Sequence, residues 1–96
     1  MTSMNYEWDE NKANENIRKH GVHFADAVIA LEDENALTIE DFHHSEQRFK
    51  TLGMGSYLNI LFVVHAERVE GVIRIISARK ADSKMIKQYY KGVSHE

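Results

Sequence analysis

The stretch "YLNILFVVHAER", residues 57–68, constrains the fold of this chain more than any other. Its centre is apolar at successive rather than alternate positions, the pattern of a strand covered on both faces. Such a strand needs a neighbour on each side and a layer of structure over at least one face. "GVIRIISAR" (71–79) provides one neighbour, joined to it by a tight turn near Glu70 and Gly71. "EQRFKTLGMG" (46–55) provides another, with Phe49 and Thr51 on one face and Arg48 and Lys50 on the other. "GMGS" (53–56) precedes a strand rather than opening a helix, so it reads as a hairpin turn. "ALTIEDF" (36–42) alternates weakly and adds a further strand.

The covering layer comes from the helical segments. From Asp9 as N-cap, Ala13, Ile17 and His20 recur at helical spacing. Arg18, Lys19 and His20 then suit the C-terminal end of the dipole, and Gly21 suits the position beyond it. "HFADAVIALE" (23–32) carries a stripe of Phe24, Ala27, Val28 and Leu31. Residues 81–92 form a third helix, capped by Asp82 or Ser83, with Met85, Ile86, Tyr89 and Tyr90 inward. "YEWDE" (6–10) is either an edge strand or a lead-in to the first helix. The order predicts an α+β domain over residues 1–96, with two N-terminal helices, an antiparallel sheet of about four strands and a C-terminal helix.

Composition narrows the function classes. The chain has no cysteine, which excludes disulfides and thiolate metal sites. No apolar run approaches a membrane span and "MTSMNYEWDE" lacks the apolar core of a signal peptide, so a cytoplasmic location is expected. The net charge of −3 argues against a general nucleic-acid coat. Its distribution is uneven: residues 1–47 carry three Lys/Arg against eleven Asp/Glu, and residues 48–96 nine against four. The halves either neutralise each other across the fold or form a basic working surface with an acidic remainder.

Metal chemistry finds little support. His20 and His23 have H-x-x-H spacing, but Gly21 interrupts the helix between them, and His43-His44 lack a companion ligand. No glycine-rich phosphate loop or nucleophile elbow is present. The basic residues and histidines remain: Lys19, His20, Arg48, His65, Arg74, Arg79 and Lys80. Metal-free RNA cleavage needs such groups: a base for the ribose 2′-OH, a cation for the phosphorus centre and an acid for the leaving 5′ oxygen. Each also has a plain alternative, as a cap, a core histidine, an ion-pair partner or a solvated charge. Arg74 and Arg79 are five residues apart, so a regular strand points them to opposite faces. They converge only if the strand bulges or ends near Ser77, or if Arg79 belongs to the turn before the helix.

The segments "EWDENKANENIRKHGVHFADA" (7–27), "EQRFKTLG" (46–53), "ILFVVHAER" (60–68) and "RIISARKA" (74–81) resemble, in order and spacing, the BrnT family of type II toxins. The pattern covers Trp8, Asp9, Lys19, His20, Gly21, Phe24, Arg48, Gly53, Arg74, Ser77 and Arg79, without saying which are chemical. The resemblance implies a RelE-like ribonuclease fold. It also implies a BrnA-like antitoxin with a ribbon-helix-helix region, which blocks the toxin and reaches operator DNA on its behalf, so that the complex represses its own operon. The expected activity is metal-independent endoribonuclease cleavage that inhibits translation, with no cofactor. His20, Arg48, His65, Arg74 and Arg79 are the candidate catalytic groups, and Lys19 and Lys80 the substrate-binding ones. Met85 stands where the family usually has Glu, which keeps open a non-catalytic role as the antitoxin's co-repressor module. A nucleic-acid-binding domain acting alone is the third reading, and the acidic total counts against it.

Overall fold

A computed structural model describes residues 5–42 and 45–93. The elements run β1 (Asn5–Glu7), α1 (Glu10–His20), α2 (Phe24–Leu31), β2 (Leu37–Asp41), β3 (Arg48–Met54), β4 (Ile60–Val69), β5 (Val72–Lys80) and α3 (Ser83–Val93). The five strands form one sheet in the order β1-β5-β4-β3-β2. The two-sided run does become the central strand. The expected antiparallel sheet of about four strands gains a fifth: "NYE", overlapping the stretch open to reading as an edge strand, is one and pairs parallel with β5, Tyr6 opposite Ile73. Three residues carry too little periodicity to decide between an edge strand and a helix lead-in.

Local chemistry sets the helix ends. The Asp9 carboxylate accepts from the Lys12 amide at 3.1 Å and opens α1. Gly21, at φ 69°, closes it in the left-handed region, and its amide donates to the Ile17 carbonyl at 2.8 Å. Asp82 accepts from the Met85 amide at 2.9 Å and opens α3 where the sequence placed its cap.

The helices divide between the two faces of the sheet. One cluster joins Ala13 of α1 and Phe24, Ala27 and Ala30 of α2 to Leu61, Val63, Ile75 and Ala78, with Trp8 set edge-on to Phe24 at 5.9 Å. α2 lies so close to β3 that a Cβ on Gly53 would sit 2.0 Å from the Ala30 carbonyl oxygen, so only glycine fits there. On the other face α3 covers Leu52 and Ile60 with Ala81, Met85, Tyr89 and Val93. Its buried seam is narrower than expected: Tyr89 is buried, but Ile86 and Tyr90 face solvent. The Tyr89 hydroxyl donates to Asp33, which also accepts from the Met54 amide, tying α3 to the turn before β2. The connection between β3 and β4 is a 3₁₀ turn that holds Tyr57 and Leu58 at φ 57° and 62°, both exposed.

β1 pairs with β5 only over residues 72–74. Beyond that point the edge of β5 is completed by one side chain. The buried Asn16 amide donates to the carbonyls of Ala78 (2.8 Å) and Val22 (2.9 Å), and its oxygen accepts from the Ala78 amide at 3.1 Å. Asn16→Ala strands these three backbone groups away from water. It is expected to cost about 3 kcal/mol in chemical denaturation; a loss below about 1 kcal/mol would show that the edge does not depend on this amide.

Candidate active site

The sheet register sorts the candidate residues by face. Arg48 and Arg74 both stand opposite Ala66, one on each side of it. Lys50 and Ser77 both stand opposite Val64, and Leu52 and Arg79 opposite Phe62. Phe62, Val64 and Ala66 are alternate residues of one strand, so these rows share a face. Arg74 and Arg79 reach it together because β5 bulges: Val64 pairs with Ser77 and His65 with Ile75, leaving Ile76 unmatched. Of the options open at the sequence level, the bulge beside Ser77 is the one that occurs.

The result is a cationic strip on the part of this face that α3 leaves uncovered. Arg48, Lys50, Arg74 and Arg79 make it up, on the rows of Phe62, Val64 and the buried Ala66. Arg48 and Arg74 are two strand spacings apart, about 10 Å, and Arg79 lies about 13 Å along the sheet from Arg74. One carboxylate ties the first pair together: Glu46 accepts from Arg74 at 2.7 Å and stands 3.5 Å from the Arg48 Nε. The buried Nε atoms of Arg48 and Arg74 have no hydrogen-bond acceptor among the described residues. Lys50 is 3.6 Å from the Asp41 carboxylate. The Arg79 guanidinium lies over the Phe62 ring, 4.8 Å from its centroid.

Two expected members lie elsewhere. His65 stands opposite Phe49 and Ile75 on the helix-covered face, so it is separated by the sheet from the arginines with which it was grouped. It is buried, its Nε2 is 2.8 Å from the Thr51 hydroxyl, and Phe49 stacks on its ring at 5.6 Å. Burial pushes its pKa down to about 4, so the ring is neutral near pH 7. Lys80 stands opposite Leu61, also on the helix side. Strand parity through the bulge decides both placements.

Lys19 and His20 occupy an intermediate position. They line a cleft of about 430 Å³ between α1 and the edge of β5, with Lys12, Asn16, Ile76 and Ser77. Lys19 is held by Glu15 at 3.0 Å. Ser77 lines this cleft and also stands in the row of Val64 and Lys50, so the cleft reaches the cationic strip at the bulge. Glu46 and Lys50 were not singled out from the sequence as site residues. The alternation Glu46-Arg48-Lys50 in "EQRFK" was the available signal, since residues two apart on a strand share a face. His43 and His44 lie outside the described residues. Among the described residues no group of three His, Asp or Glu is arranged to hold a metal ion, and no helix is long and apolar enough to cross a membrane.

Residues 8–84 match the family model described as the ribonuclease toxin, BrnT, of type II toxin–antitoxin systems. The chain belongs to the BrnT family. It is therefore a member of a family of ribonuclease toxins that work with an antitoxin. The match spans every cation of the strip and stops just before Met85. The fold is similar to that of the Brucella abortus ribonuclease toxin BrnT, known from a 1.1 Å crystal structure. The TM-score is 0.63 at 28% identity, over 84% of this chain and 100% of that one. No curated protein matches the chain. Met85 packs against the cluster of Leu52, Ile60 and Tyr89, to which Phe62 also belongs.

His65 gives a pH prediction. Its folded pKa of about 4 lies below the ordinary 6.5, so the unfolded chain binds the proton more tightly. Its contribution to stability is complete above about pH 6.5 and lost as pH falls towards about 4, roughly 2 kcal/mol after allowance for solvent screening. Urea unfolding at pH 7 and pH 4.5 should show a gap that narrows by about that amount in His65→Gln. An unchanged gap would contradict a buried neutral ring.

Proposed function

We propose that the protein is an endoribonuclease toxin that cuts RNA at the Arg48–Lys50–Arg74–Arg79 strip without a metal ion, and so inhibits translation in the cytoplasm. The observation that carries this reading is the Arg48–Arg74 pair, two guanidinium groups held by a single carboxylate, whose buried Nε donors meet no acceptor among the described residues. A phosphate that displaces Glu46 would give both forks the acceptors they lack. Arg79 and Lys50 then hold the neighbouring backbone.

The reaction this arrangement suits is attack of the 2′-oxygen on the adjacent phosphorus. The 2′-O–P bond forms and the P–O5′ bond breaks, leaving a cyclic phosphate and a 5′-hydroxyl. Arg48 and Arg74 stabilise the extra negative charge at phosphorus. The freed Glu46 carboxylate takes the 2′-OH proton, and His20, reached across the β5 edge, protonates the leaving oxygen. In this reading His65 packs and orients the sheet and Lys80 takes no part. A BrnA-type antitoxin covers the strip, and the pair represses its operon through the antitoxin's own DNA contacts.

Purified protein with naked RNA, with and without EDTA, tests the reading; abolition by EDTA would reject metal independence. Arg74→Ala and Arg48→Ala should each lower kcat/KM about 100-fold, whereas Lys80→Ala and His65→Gln should change it less than about threefold. Loss on Lys80→Ala equal to that on Arg74→Ala would move the site to the other face. The co-repressor reading predicts that wild type and Arg74→Ala are equally harmless when expressed without antitoxin.

A further inference from the structure

Sheet edges are normally blunted by lysine, proline, a bulge or a covering segment, because their free N–H and C=O groups pair with any extended chain. β2 ends the sheet, and its sequence LTIED contains neither lysine nor proline. It pairs with β3 in unbroken register from Leu37 to Asp41. Ile39 is 66% exposed, and Phe42 just beyond the strand is 78% exposed. Inward from this edge a groove of about 600 Å³ runs between β2 and α3, lined by Leu37, Ile39, Leu52, Phe62 and Met85, with Lys50 and Gln88 also on its walls. An apolar groove that opens onto an edge with no neighbouring strand among the described residues marks an interaction site.

Charge selects the occupant. Residues 21–47 contain seven Asp/Glu and no Lys or Arg. Glu32 and Glu34 precede β2 and Glu40 lies on it, all exposed. Asp33 stays below the usual carboxylate range: burial alone would raise it, but hydrogen bonds from Tyr89, Met54 and Asn35 outweigh that. This rim repels the RNA backbone, and a second copy of the chain would bring the same carboxylates together. An extended segment with alternate apolar side chains and intervening Lys or Arg satisfies the edge, the groove and the rim at once.

We infer that the outer edge of β2 is where the antitoxin docks, through a strand-forming segment bearing Lys or Arg that joins the sheet and sets its alternate apolar side chains in the groove. This rests on the reading that an antitoxin is the partner, but not on the reading that the strip cuts RNA. Lys50 lines the groove and belongs to the strip, so a chain seated on β2 runs alongside the arginines, and the rest of the antitoxin is held over them.

The test uses the complex of this protein with the product of the adjacent reading frame. Ile39→Glu and Glu40→Lys should each weaken the complex about tenfold or more, while the free variants cut RNA as the wild type does. Hydrogen exchange of the β2 amides should slow in the complex only. Unchanged affinity in both variants overturns the inference. So does β2 protection that grows with the concentration of the free protein, which means a second copy, or protection by a 2′-deoxy oligonucleotide, which means nucleic acid. A wild type that cuts no RNA, yet loses its partner on Ile39→Glu, rejects the cleavage reading and leaves this one standing.

Discussion

Beyond Arg74 the edge of β5 has no strand beside it among the described residues, and the Asn16 amide takes that place. This one side chain closes the hydrogen bonds of Ala78 and Val22 and fixes α1 against the sheet. Without it, a strand that bulges at Ile76 would present unpaired backbone to the core. Asn16 therefore makes the bulge tolerable, and the bulge gathers Arg74 and Arg79 on one face. The same helix brings Lys19 and His20 to the far side of that bulge one turn later. Both halves of the candidate site hang on a buried amide that takes no part in the chemistry.

Much of this arrangement was legible in the sequence, and the limits were physical ones. Asp9, Gly21 and Asp82 announce their helix ends because capping is a local event between residues a few positions apart. The two-sided run of β4 is legible because burial on both faces leaves no polar alternation. Arg48 and Lys50 could be assigned to one face by parity. Parity fails at an irregularity: nothing local in "RIISARK" says that Ile76 is the extra residue, and without that fact Arg74 and Arg79 diverge. His65 misled for a related reason. A histidine at the end of an apolar run reads equally as site or core, and Thr51, its hydrogen-bond partner, lies on another strand. The parallel pairing of β1 with β5 joins residues some 67 positions apart, which no local pattern encodes.

The two faces of the sheet do different work. On the helix side, close approach governs: Gly53 under Ala30, Val63 and Ala78 fully buried, His65 held neutral. On the other side α3 covers only one end, through a narrow seam ending at Tyr89 and Val93. That partial cover leaves a cationic strip and an apolar groove side by side on one surface. Glu46 belongs to this economy as well. It neutralises two closely placed guanidinium groups, and so allows a folded domain of modest size to keep them together.

The uneven sequence charge becomes a spatial one on folding. The carboxylates of the first half concentrate between Glu32 and Glu46, before, on and just after β2, while most of the later cations lie on the face of the cationic strip and along α3. A molecule with a net charge of −3 thus carries an electric dipole with its negative end at the β2 edge. In the field of a polyanion such a dipole experiences a torque before any contact is made, turning the strip inward and the acidic edge away. Encounter with any polyanion then depends on orientation rather than on total charge, and its rate falls as salt shortens the reach of that field.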